Sequence, residues 1–91
     1  MTAAGNISEL TPALEDYLET IFELVQERKV ARVRDIAEAR SVKAGSVSPA
    51  MRRLADLGLI RYHQREFIDL TEQGEEEARR VMARHRVLRR F

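Results

Sequence analysis

The sequence has no cysteine, which excludes disulfide scaffolds and thiolate metal sites. No segment approaches the ~20 consecutive apolar residues that a membrane-spanning helix needs. The N-terminus lacks the basic stretch and apolar core of a secretory signal, which makes the cytoplasm the default expectation. Internal repeats and low-complexity stretches are missing too. So are a nucleophile motif, a glycine-rich phosphate loop and a complete set of metal ligands, which leaves an enzyme without a foothold. At 91 residues, the chain is long enough for one small core.

Positive charge is absent from one part of the chain. Residues 1–27 hold six acids (Glu9, Glu15, Asp16, Glu19, Glu23, Glu27) and no Lys or Arg. Residues 28–91 hold all 16 basic residues against nine acids, an excess of seven positive charges. Such asymmetry suggests that one part meets a polyanion while another does something different. The plainer alternative is a solvated helical surface with scattered charges.

Residues 1–10 are small and polar without periodicity, and are expected to form a flexible arm. Thr11-Pro12 is a helix start, a hydroxyl at the N-cap followed by proline at the first helical position. Leu14, Leu18, Ile21, Phe22 and Val25 then recur at helical spacing to about Glu27. Val30 to Val33 reads as a short extended piece, and Arg34 to Arg40 as a helix carrying Ile36, Ala37 and Ala39. After a break at Ser41-Val42-Lys43, a third helix is predicted from about Ala44 to Leu57, with Val47, Met51 and Leu54 inward and Gly58 as its stop. Leu59 to His63 and Phe67 to Leu70 predict a hairpin turning at Gln64-Arg65-Glu66. Thr71 caps a last helix striped by Ala78, Val81, Met82, His85, Leu88 and Phe91. Leu18, Ile21, Phe22, Val47, Leu54 and Leu88 are expected in the core.

Two helices joined by about three or four residues and followed by a hairpin make a winged helix-turn-helix, mainly α with a small β-hairpin. Residues 11–70 would form that DNA-binding domain, and residues 71–91 a linking helix that begins a dimerisation region. Modules of this shape also bind only protein, so architecture does not settle function. On the recognition helix, Ser46, Ser48, Arg52 and Arg53, preceded by Lys43, offer hydroxyls and guanidinium groups suited to phosphate and base edges. The hairpin adds Arg61, His63, Gln64 and Arg65 near its tip. Pro49 lacks an N–H and its ring presses on the Gly45 carbonyl. It is either a tolerated early-turn proline in a helix starting near Gly45 or an apolar contact for a thymine methyl.

Asp16 and Glu19, three apart on the first helix, share a face, and His85 lies within the apolar stripe of the last. Two carboxylates and an imidazole can ligate Mn²⁺ or Fe²⁺. A lone histidine on an apolar face is also an ordinary packed core residue.

Several segments in order carry a family resemblance: Thr11-Pro-Ala-Leu-Glu-Asp-Tyr-Leu-Glu19, Ala31-Arg-Val-Arg-Asp-Ile-Ala-Glu38, Ser46-Val-Ser48, Gly58-Leu-Ile60, Leu70-Thr-Glu-Gln-Gly74 and Arg84-His85. From Thr11 to Phe91 the chain resembles the diphtheria toxin repressor and manganese transport regulator family of metal-dependent repressors. That resemblance implies a homodimer in the intact protein, binding palindromic double-stranded operator DNA and repressing metal-uptake genes when Mn²⁺ or Fe²⁺ is loaded. It implies Asp16, Glu19 and His85 as metal ligands. Aspartate at position 16 is similar to the manganese-responsive branch, where the iron-responsive branch has methionine. Arg89 stands where the iron type has a glutamate ligand, which tilts the choice towards Mn²⁺. The family's remaining ligands and dimer-forming helices lie beyond the equivalent of Phe91, so the resemblance implies an incomplete site here, in an excised domain or a natural short form. Pro49 replaces a polar position of the recognition helix, so the operator sequence does not transfer.

Overall fold

Thr11 starts the first helix as its sequence predicts, its Oγ1 accepting from the Leu14 N–H at 3.2 Å. The computed structural model describes residues 10–64 and 66–89, with side chains described up to Arg86. Helix α1 is Pro12–Arg28, followed by strand β1 (Ala31–Arg32), α2 (Val33–Arg40), α3 (Ala44–Asp56), β2 (Ile60–His63), β3 (Phe67–Leu70) and α4 (Glu72–Arg89). The connection between α2 and α3 turns on Ser41, whose backbone is left-handed at φ 57°. Its N–H and that of Val42 donate to carbonyls of the last α2 turn, which closes α2 tightly enough to launch α3 at once. The architecture is the expected winged helix-turn-helix, α2 and α3 forming the motif and β2–β3 the wing.

The sheet exceeds the predicted hairpin. Strand order is β1-β3-β2, all antiparallel, with Ala31 opposite Ile68 and Arg32 opposite Phe67. A two-residue strand gives almost no periodic signal, so the extended piece was legible but its pairing was not. Ala31 and Ile68 are both fully buried, and this pairing fixes the wing's inner edge to the helical body.

Leu18 and Ile21 of α1, Ile36 of α2, Val47, Met51 and Leu54 of α3, Leu59, and Ile68 of β3 are sealed from solvent in one core, and Val81 of α4 is sealed as well. Burial of each stabilises the fold by about 1.5–3 kcal/mol. Of the predicted core, Phe22 is only half-buried, and the Leu88 side chain and Phe91 lie outside the described residues, as do residues 1–9. The sequence places Leu10 in the arm, yet Leu10 packs on this core at 9% exposure. Glu77, which no apolar pattern marks, is also buried, and its Oε1 accepts from Arg80 Nε at 3.1 Å.

Helix α4 is seated by two residues. Thr71 Oγ1 donates to the Gly58 carbonyl at 2.7 Å and accepts from the Gly74 N–H at 2.9 Å, joining the α4 start to the α3 stop. Gly74 is buried against the Leu59 carbonyl, where any Cβ would collide with backbone. Among the described residues, no helix is long and apolar enough to cross a membrane.

Candidate nucleic-acid face and metal-ligand cluster

The 3.6-residue period divides α3 into two faces. Val47, Met51 and Leu54 point into the core, while Gly45, Ser46, Pro49, Arg52, Arg53 and Asp56 share the exposed side. Lys43, at the N-cap, is exposed as well, and Ser48 is half-buried at the boundary. The structure therefore gathers Lys43, Ser46, Pro49, Arg52 and Arg53 on one solvent-facing surface. Asp56 closes the same face with a negative charge, a position the sequence reading left unused.

Pro49 stands inside α3, at the depth the predicted start implies. Helix α3 begins at Ala44, where its sequence predicts, so Pro49 lies inside it and its ring meets a carbonyl of the first turn. The carbonyl it leaves without an intrahelical donor is that of Gly45, an exposed residue with open space where a Cβ would stand. Water can satisfy that group, which explains why the helix continues through the proline.

The wing has a different electrostatic character. Arg61 Nη1 donates to Asp69 Oδ1 at 2.9 Å and to the Leu70 carbonyl at 3.1 Å, while His63 Nε2 lies 3.4 Å from the other Asp69 oxygen. Arg61 and Asp69 are direct cross-strand partners in the register. These two basic groups of the hairpin are thus engaged within the wing. At its inner edge, Arg32 bridges to Glu66 at 3.4 Å and lies over the Phe67 ring. Gln64 is exposed in the turn with φ 52°, and Arg65 lies outside the described residues.

Away from the recognition helix, α1 and α4 pack together and bring two neighbouring carboxylates of α1 against a histidine far away in sequence. One potential ligand atom each from Asp16, Glu19 and His85 lies within 4.8 Å of the others, and all three residues are partly buried. His85 Nδ1 is 2.8 Å from Glu19 Oε1. This contact joins the imidazole and the carboxylate directly across the α1–α4 seam. Ligands about 2.1 Å from a shared octahedral ion stand about 3 Å apart when adjacent and about 4.2 Å apart when opposite. The observed spread exceeds this by little enough for side-chain rotation to close it. Two hard carboxylates and one imidazole fit Mn²⁺ or Fe²⁺, and three protein atoms leave about half of an octahedral shell to other donors.

Two cations border this cluster without having been predicted. Arg40, on the last turn of α2, puts Nη2 3.3 Å from Asp16 Oδ2. Arg84, one residue before His85, puts Nη2 2.9 Å from Glu15 Oε2. Neither pairing has a local sequence signal, because each joins helices separated by other elements.

Against this geometry, similarity to known proteins is consistent in kind. The model of the iron-dependent repressor N-terminal DNA-binding domain matches residues 9–67. The HTH-type transcriptional regulator MntR of Lysinibacillus sphaericus is 38% identical over 81 residues, covering 89% of this chain and 58% of that protein. MntR of Bacillus subtilis is 37% identical over the same length, with 57% of it covered. The chain therefore spans little more than half the length of these relatives. Among solved structures, the YusO protein from Bacillus subtilis shares the fold at TM-score 0.70 and 24% identity, over 96% of this chain and 64% of that one. Lactococcus lactis ZitR in its apo form does so at TM-score 0.64 and 23% identity, over 92% and 67%.

Proposed function

The chain belongs to the iron-dependent repressor family through its N-terminal DNA-binding domain, and from that premise we propose that it is a metal-dependent transcriptional repressor whose winged helix binds operator DNA. The family is one of transcriptional regulators rather than enzymes. The DNA contacts would come from Lys43, Ser46, Ser48, Pro49, Arg52 and Arg53, with Arg65 at the wing tip. Residues 11–70 would be the DNA-binding domain, residues 71–91 the link to a dimerisation region, and residues 1–10 an arm whose last residue docks on the core. In the whole protein a homodimer would match a palindromic operator, and its targets would be metal-uptake genes.

One observation carries the metal dependence. Asp16, Glu19 and His85, drawn from opposite ends of the chain, converge on one point. A divalent cation bound there would neutralise two carboxylates at the α1–α4 seam and tie the helices together. The hard oxygen donors favour Mn²⁺ as the ion, with Fe²⁺ as the alternative, and the relatives' naming as MntR supports the same choice. Glu19 orients the His85 ring through its hydrogen bond, and Leu18 and Ile21 hold α1 in place beneath it.

The test is duplex-DNA binding by fluorescence anisotropy across a salt series. Each phosphate neutralised contributes about −0.9 to the log–log slope, so steep loss of affinity with salt is expected. A flat response would replace this reading with a winged helix that docks on a protein partner.

A further inference from the structure

We propose that Arg40 is a tethered cation for Asp16 that competes with the divalent ion and so sets the affinity of the cluster. The inference rests on the metal-site reading above. Of the three candidate ligands, Glu19 is hydrogen-bonded within the cluster to His85, whereas Asp16 is held from outside it, by Arg40 Nη2 at 3.3 Å from Oδ2. The nearby Arg84 is committed to Glu15, which is not a cluster member. Among the described residues, Arg40 is therefore a guanidinium whose engagement acts directly on a candidate ligand.

The chemistry of the exchange follows from charge. An ion that takes Asp16 must either displace the guanidinium or share the carboxylate with it, and a divalent ion is repelled by the fixed positive charge in both cases. The pair is only partly shielded, with side-chain exposures of 39% for Arg40 and 43% for Asp16, so solvent weakens the competition. A partly exposed pair together with screened repulsion corresponds to about a three- to tenfold change in affinity. Arg40 belongs to α2, the first helix of the helix-turn-helix, so the cluster is tied electrostatically to the DNA-binding motif as well as across the α1–α4 seam.

The experiment titrates Mn²⁺ into the 91-residue chain and its variants, following free aqueous Mn²⁺ by electron paramagnetic resonance. Arg40→Gln should bind Mn²⁺ about three- to tenfold more tightly than the parent, the gain shrinking as ionic strength rises. Arg40→Ala should give the same gain, since alanine is well tolerated in a helix, and circular dichroism should show both variants folded. Arg40→Lys keeps the charge and should stay within about twofold of the parent. Equal or weaker binding by Arg40→Gln and Arg40→Ala, with His85→Ala still abolishing it, would overturn the role of Arg40 and leave the cluster standing. No Mn²⁺ binding by the parent or any Arg40 variant would overturn the cluster and this inference together.

Discussion

The recognition helix and the α1–α4 seam handle charge in opposite ways. On α3 the basic groups sit on the solvent side of a single helix whose other side is core, so the face is assembled within fourteen consecutive positions, Lys43 to Asp56. At the seam the charged groups are partly buried and cross-linked, and His85 meets Glu19 across a sequence separation of 66. The first surface is available to a polyanion as soon as α3 forms. The second exists only when two distant helices pack. A DNA face can thus be varied residue by residue, whereas a site at the seam depends on the whole fold.

The largest expected effect breaks both regions at once. Leu18 is fully buried in the same helical turn as Asp16 and Glu19, and Leu18→Ala should cost about 2–5 kcal/mol of stability in a thermal melt. Because one core underlies both surfaces, DNA and Mn²⁺ binding should disappear at the same temperature. Separate loss would show that the two regions are held by different cores.

Gly74→Ala sharpens the comparison by acting on the seam first. Its methyl group would collide with the Leu59 backbone, and α4 would have to shift to accommodate it. The expected loss is about 1–3 kcal/mol, with Mn²⁺ affinity falling further than DNA affinity. Equal loss in both assays would mean that α4 placement also governs the recognition helix.

How much of this was legible follows the same division. Thr11-Pro12, the α3 stripe Val47-Met51-Leu54 and the Gly58 stop are local patterns, and each lies where its spacing placed it. Asp16, Glu19 and His85 were legible as chemistry from residue type and as a ligand set only through the family resemblance, since periodicity does not show the packing of α1 on α4 that brings them together. Arg40 was invisible because its partner lies on another helix and nothing in the α2 periodicity marks it. Pro49 was legible as a tolerated proline, because the carbonyl its ring meets is that of the exposed Gly45 in the first turn of α3. Leu10 escaped because a single apolar residue after a polar stretch has no period to reveal its burial.

Arg52→Ala is expected to act on one side of the comparison only. It sits on the exposed α3 face and contributes nothing to the seam. If it touches a phosphate, the log–log salt slope of duplex binding should drop by about 1; if it reads a base, affinity should fall by ~1–3 kcal/mol at that base pair alone. Mn²⁺ binding should not change. A shift in Mn²⁺ affinity would reveal coupling between the two surfaces within this chain.

The smallest effect is expected from removing metal. A structural ion holds together a chain that cannot otherwise bury enough apolar surface, and such a chain unfolds in chelator. Here the seam has its own apolar contacts, with Leu18, Ile21, Ala78 and Val81 sealed from solvent, and no buried side-chain polar atom among the described residues lacks a hydrogen-bond partner. Stabilisation by an added ion then follows mass action, and for weak binding through three protein ligands it amounts to about 1.4 kcal/mol at tenfold excess over Kd. Melts in EDTA and in excess Mn²⁺ should therefore differ by a few degrees, both cooperative and both starting from the same helical signal. Collapse of the helical signal in EDTA would place the ion among the groups that hold the fold, and the seam would then be a folding element rather than a site on a finished domain.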